Sequence, residues 1–226
     1  MTDHGGKALF SAGALAAALS ALYALGVFEL HGDAIGEPLT LGGVARLTDD
    51  FADGMARWEP SSGRWEVEGS GASSILRQAA TSEAIALALF RGVSYGDVEV
   101  AVRFRLVSGE ADRAAGLVCR AKDARNYYLV RANGLESNLR FYVVANGERT
   151  ILASVRVAPP AVDSWHTIKF VAKGERFQAS LDGRLVLEHS DERFAVGSVG
   201  LWTKADSVTE FDDFEVLGSM VKGEAR

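Results

Sequence analysis

Arginines and aromatic residues on neighbouring strands are the side chains here best equipped to hold a ligand. Read by alternation, one side of the central strands collects Arg103, Arg105, Arg120, Tyr128, Arg140 and Tyr142, with Asn138 beside them and Trp202 and Lys204 on another strand. Guanidinium forks bind carboxylates or several hydroxyls at once, and aromatic faces stack on sugar rings. The chemistry this implies is recognition of a glycan, an anionic one included. The competing reading is that long arginine stems cover the solvent face of a sheet and offset cross-strand acids such as Glu99.

Other chemistries find little support. The four histidines, His4, His31, His166 and His189, include no two that lie three to five residues apart, so a histidine-based zinc site is not expected. Cys119 is the only cysteine, which excludes an internal disulfide. It shares a strand face with Leu117 and reads as a small buried hydrophobe. No Gly-x-Ser-x-Gly elbow and no glycine-rich phosphate loop opening a helix occurs. With 24 basic against 30 acidic residues the net charge is −6, so no global basic field is available to gather nucleic acid. Single-stranded nucleic acid would use similar aromatic and basic residues, but an exported chain is a poor candidate to meet it.

The elements that must position these residues are strands. Four segments between Asp97 and Asn146, DVEVAVRFRL, AAGLVCRAK, NYYLVRAN and NLRFYVVAN, read as an antiparallel meander. In the first, Val98, Val100, Val102, Phe104 and Leu106 alternate with Glu99, Ala101, Arg103 and Arg105, the period of two that gives a sheet one buried face. Strand patterns run from Val44 almost to the carboxyl terminus and number roughly a dozen. Asp182-Gly183 is the clearest hairpin, because a type I′ turn needs positive φ at both central residues. A dozen short strands with one apolar face each can bury those faces by stacking two sheets. The expectation is an all-β jelly-roll sandwich over residues 44–217, with a short tail over 218–226.

The amino terminus is separate. Residues 8–28, ALFSAGALAAALSALYALGVF, carry no charge, which predicts a hydrophobic helix that acts as a membrane anchor or a cleaved export signal within segment 1–29. Either reading places the β-domain outside the cytoplasm, periplasmic or at the cell surface. Residues 30–43 read as an extended linker with Gly32, Gly36 and Pro38.

The ordered series Asp50-Phe51 and Trp58, Gly116-Leu117-Val118-Cys119-Arg120, Asn126-Tyr127-Tyr128-Leu129, Asn146-Gly147, Trp165-His166-Thr167-Ile168, Leu181-Asp182-Gly183, Gly197-Ser198-Val199-Gly200-Leu201-Trp202 and Phe211-Asp212-Asp213-Phe214 resembles the concanavalin A-like jelly roll. Within that superfamily it is most similar to laminin-G-like and 3-keto-disaccharide hydrolase domains. The resemblance implies a sandwich shared by sugar-binding modules, hydrolases and interaction domains, and it transfers no catalytic residue. It also implies that first and last strands are neighbours, which would bring Asp49 or Asp50 near Asp212 or Asp213 as ligands of a structural calcium. The alternative is that these acids cap turns and face water. Glu210 to Glu215 superficially resembles the acidic strand of family 16 glycoside hydrolases, but in a regular strand Glu210 and Asp212 face away from Asp213 and Glu215. Three functions follow: a non-catalytic carbohydrate-binding or surface interaction module, a glycoside-processing hydrolase, and a structural envelope domain.

Overall fold

The computed structural model describes residues 44–79 and 85–221. The expected helix over 8–28 and the linker lie outside the described residues. Among the described residues, no helix is long and apolar enough to cross a membrane.

Among the described residues, fifteen strands form two antiparallel sheets. In chain order they are β1 (Val44–Asp49), β2 (Trp58–Ser62), β3 (Arg64–Glu68), β4 (Ile75–Ala79), β5 (Ile85–Phe90), β6 (Ser94–Ser108), β7 (Ala114–Asp123) and β8 (Asn126–Asn133). There follow β9 (Asn138–Ala145), β10 (Glu148–Arg156), β11 (Trp165–Lys173), β12 (Arg176–Leu181), β13 (Arg184–Ser190), β14 (Ser198–Lys204) and β15 (Val208–Val221). Sheet A has the order β13-β12-β11-β6-β15-β4-β3, with β1 also paired to β15; sheet B has the order β10-β9-β8-β7-β14-β5-β2. β15 runs on to Val221, and Ser219 pairs with Val44, so the sheet takes in part of the expected tail.

The core lies between the sheets. Sheet A contributes Val100, Val102, Phe104, Phe170 and Phe177, and sheet B contributes Leu117, Cys119, Tyr128, Val130 and Phe141. Phe141 alone contacts the rings of Tyr128, Phe170, Phe177 and His189. Burial pushes the Cys119 thiol up, and it behaves as the small hydrophobe its strand face implies. The Asp182-Gly183 turn has φ of 50° and 75°, the two positive values a type I′ hairpin needs.

One expectation needs correction. The four strands between Asp97 and Asn146 do not form a single meander, because β6 belongs to sheet A while β7, β8 and β9 belong to sheet B. The segment between β6 and β7 crosses the sandwich instead of turning back. Its anchor is Asp206, whose carboxylate accepts backbone N–H bonds from Glu110, Ala111 and Asp112 at 2.7–3.1 Å. Those donors hold the Asp206 carboxyl at about 2, below the usual carboxylate range. Gly109 has φ of 143°, and a Cβ there would meet Asp112 O at 1.9 Å, so the crossing requires glycine.

Candidate functional site

Strand pairing lines up Leu87, Trp202, Gly116, Arg131, Arg140 and Ser154 straight across sheet B, each the register partner of the next. Leu87 and Trp202 belong to a second apolar cluster, with Tyr127, Leu129, Tyr142 and Val144, separate from the core between the sheets. The row therefore lies on the outer face of sheet B. Gly116 sits between its two largest members. A Cβ at Gly116 would approach Leu129 Cδ1 to 2.8 Å and Val130 O to 3.0 Å, so a bare backbone lets Trp202 and Arg131 lie down on either side.

Arg131 is the centre of this face. It is 1% exposed, and its Nη2 donates to Glu136 Oε2 at 2.9 Å and to Asn138 Oδ1 at 2.7 Å, while Nη1 lies 3.9 Å from Asp112 Oδ2. The same Glu136 Oε2 accepts from Asn138 Nδ2 at 3.0 Å and meets Arg140 Nη1 at 2.7 Å. One carboxylate oxygen thus gathers three side chains. Asn133 fixes its carrier, since Asn133 Oδ1 accepts the backbone N–H groups of Leu135 and Glu136 at 2.8 and 2.7 Å. The Asn133 amide also donates to Asp112 Oδ1, and Lys204 Nζ is 3.5 Å from Asp112 Oδ2. The loop that Asp206 clamps is what delivers Asp112 to this end of the sheet.

The aromatic part of the face lies lower. Trp202 is 0% and Tyr142 2% exposed. The Arg149 guanidinium sits 4.9 Å from the Tyr142 ring and 5.6 Å from that of Trp202. These rings are a floor already roofed by a cation. The polar groups above them are accessible: the side chains of Glu136, Arg140 and Lys204 are 42%, 28% and 34% exposed. Among the described residues, one buried donor in the same layer, Arg131 Nε, has no hydrogen-bond partner. A donor left so costs about 1–3 kcal/mol.

The geometry distributes the sequence-predicted residues over three places. Asn138, Arg140, Tyr142, Trp202 and Lys204 come together on the outer face of sheet B. Arg103 and Arg105 lie on the outer face of sheet A, where their guanidiniums sit 4.8 and 4.9 Å from the Trp165 ring. Arg105 pairs with Glu210, and Arg103 with Asp213 at 2.8 Å. Arg120 and Tyr128 are interior. Arg120, at φ 49° in a β-bulge, donates to the carbonyls of Gly96, Gly174 and Phe194 at 2.8–3.2 Å. The Tyr128 hydroxyl donates to Asp191 and accepts from the Phe194 N–H, which ties the strand to the loop before β14.

Reading the alternation across turns without their register placed Tyr128 outside, whereas Tyr127 is the tyrosine of that pair on the outer cluster. Arg131, Asp112 and Glu136 were absent from the expected set. Arg131 was legible, being four residues after Tyr127 on one strand and so on the same face; Asp112 was not, because a loop brings it.

The acids proposed for calcium are Asp50, Asp212 and Asp213. Asp50 caps a turn through the Ala52 N–H at 3.1 Å, and Asp212 accepts from the Asp213 N–H at 2.8 Å. Arg103 stands between Asp212 and Asp213, at 3.7 and 2.8 Å. Among the described residues there is no group of three or more acidic, histidine or cysteine side chains placed to hold a metal ion.

Hydrogen bonds from Arg131 and Asn138, with the Arg131 and Arg140 charges, hold the Glu136 carboxyl at about 2. Its folded value lies below its unfolded one of about 4.3. The stabilisation is therefore complete above the unfolded value and is lost as pH falls toward the folded one. Urea midpoints measured from about pH 6 down to about pH 2 should fall less steeply for Glu136→Gln than for the parent chain. The difference should stay below about 1 kcal/mol because the carboxylate is half exposed to solvent. Identical slopes would remove Glu136 from the network.

No protein-family model matches the chain. A levanase of Bacillus subtilis (strain 168) is 28% identical over 162 residues, which is 68% of this chain and 22% of that protein. The chain therefore spans less than a quarter of the relative it matches. Among solved structures, the carbohydrate-binding module CBM66 from Bacillus subtilis is similar with a TM-score of 0.62 and 25% identity, over 70% of this chain and 94% of that one. A Bacillus licheniformis β-glucanase superposes with a TM-score of 0.55 at 13% identity, over 79% of this chain and 99% of the enzyme, a likeness of fold alone. With its two antiparallel sheets and these neighbours, the chain has the concanavalin A-like jelly-roll fold.

Proposed function

We propose that this protein is a non-catalytic carbohydrate-binding module, presented outside the cytoplasm by its apolar amino-terminal stretch. The ligand site is the polar layer on the outer face of sheet B. The observation that carries this reading is the network of Asp112, Arg131, Glu136, Asn138 and Arg140, buried at its base and open at Glu136 and Arg140. Such a layer presents carboxylate acceptors beside guanidinium donors at fixed spacing, which is what vicinal hydroxyls of a sugar require. Ionised Glu136 is a hydrogen-bond acceptor at neutral pH, not a proton donor, which suits holding a sugar better than cleaving one. The likeness to a levanase makes levan, a fructan, the first polysaccharide to test.

The test is a glycan array and a levan titration with the full chain, beside Arg140→Ala. This arginine is part of the open rim and its removal leaves Arg131 paired with Glu136. The expected result is saturable binding by the parent and about a tenfold or greater loss in the variant, the cost of one charge-assisted contact, with the thermal midpoint little changed. Release of reducing ends from any bound glycan would overturn the non-catalytic reading. Failure to bind any glycan would overturn the whole of it.

A further inference from the structure

A groove of about 820 Å³ opens where the last strands of the two sheets, β10 and β13, come side by side. It adjoins the sugar layer, because Arg156 on its rim is the register partner of Asn138. Its walls include Val155, Val157, Pro159, Leu181, Leu185 and Val186, and its rim carries Arg156 and Arg184. Val155, Val157 and Val186 are half-buried side chains that pack on the main core, so the groove is a seam at which the core reaches the surface. Leu185 is 48% exposed.

Charge and backbone select the occupant. The side chains of Arg156 and Arg184 make no ion pair or hydrogen bond among the described residues, in a chain whose net charge is −6. The acid on the wall, Asp182, is already committed: Oδ1 accepts the Thr167 N–H at 2.9 Å and Oδ2 meets His166 Nδ1 at 2.8 Å. The free charge of the groove is therefore positive. Among the described residues each bordering strand also ends its sheet, β10 on one and β13 on the other, so each offers a row of backbone N–H and C=O groups that no other described strand pairs. An extended peptide that pairs with such an edge sends alternate side chains into the apolar seam and the others toward the rim.

We propose that the β10–β13 seam is a docking site for an extended acidic peptide segment of a partner protein, one that alternates carboxylate and β-branched residues and adds as a strand to an exposed sheet edge. The backbone supplies the pairing, Arg156 and Arg184 select the charge, and the valines select the alternation.

The test uses the full chain and three fluorescein-labelled eight-residue probes: alternating glutamate and valine, alternating lysine and valine, and the glutamate–valine peptide N-methylated along one edge. Fluorescence anisotropy should show saturable binding of the first probe alone. The Arg156→Glu, Arg184→Glu double variant should lose about tenfold or more of that affinity. Both residues are exposed, so the variant should keep its thermal midpoint; Arg184→Glu alone, on β13 of sheet A, should lose part of the peptide affinity and keep glycan binding, which separates the two sites. Equal binding of the N-methylated probe would mean charge attraction without strand pairing and would overturn the proposal. So would binding of the lysine probe, no binding at all, or sedimentation showing that the seam is filled by a second copy of the chain.

Discussion

An Arg131→Met chain is expected to lose glycan binding entirely and to unfold about 3–5 kcal/mol more easily, the range for removing one partner of a buried ion pair. The methionine roughly fills the space of the aliphatic stem, so the loss is electrostatic. Asp112, 3% exposed, would keep only the Asn133 amide, the Arg113 N–H and the Lys204 ammonium at 3.5 Å. Glu136 would keep Arg140 and Asn138 but lose the guanidinium that holds it in place. Urea denaturation and levan titration read the two effects separately. Adding Asp112→Asn to Arg131→Met should return much of the stability, since the orphaned charge is gone, without returning binding. If the double variant stays as unstable as the single one, the pairing of Arg131 with Asp112 is not what stabilises this end of the sheet.

Trp58→Ala is expected to cost about 3–5 kcal/mol as well, by a different mechanism. Trp58 is 1% exposed and touches the rings of Phe51, Phe90 and Phe214 at centroid distances of 5.8, 5.3 and 4.9 Å. It thereby joins the segment after β1, the end of β5 and the middle of β15. Its indole N–H donates to Asp49 Oδ2 at 3.0 Å, and Asp49 Oδ1 accepts the Phe51 N–H at 2.8 Å. Burial raises the Asp49 carboxyl against the opposing pull of those two bonds. Truncation leaves a cavity and an underpaired carboxyl together. The expected thermal midpoint drops sharply, while Trp58→Phe should recover the packing and leave only the lost hydrogen bond, about 1–2 kcal/mol. Glycan binding at the far end of sheet B should survive both changes. A small loss in Trp58→Ala would show that the aromatic cluster collapses to fill the void.

Much of the fold was legible because alternation survives in single strands. Val98 to Leu106 face inward as their period requires, and the Asp-Gly and Asn-Gly hairpins have the positive φ values their residues allow. The site was legible only in part, because strand period says which residues share a face within one strand and not which sheet the strand joins. Arg103 and Arg105 went to the other side of the sandwich for that reason. The five residues from Gly109 to Arg113 look like a turn, and what makes them a crossing is a carboxylate almost a hundred positions away, Asp206. Arg120 could not be placed by alternation either, since its bulge rotates the side chain out of the period.

The position of β15 has a consequence for when this chain can fold. The strand that ends at Val221 lies in the interior of sheet A, between β6 and β4, and also receives β1. Sheet A therefore lacks its middle until β15 has been made, and the contacts that complete it reach back as far as β1. Long-range pairing of this kind is slow to form. Every strand from β1 to β14 can be made before sheet A can close, so β15 sets the moment at which the sandwich is complete.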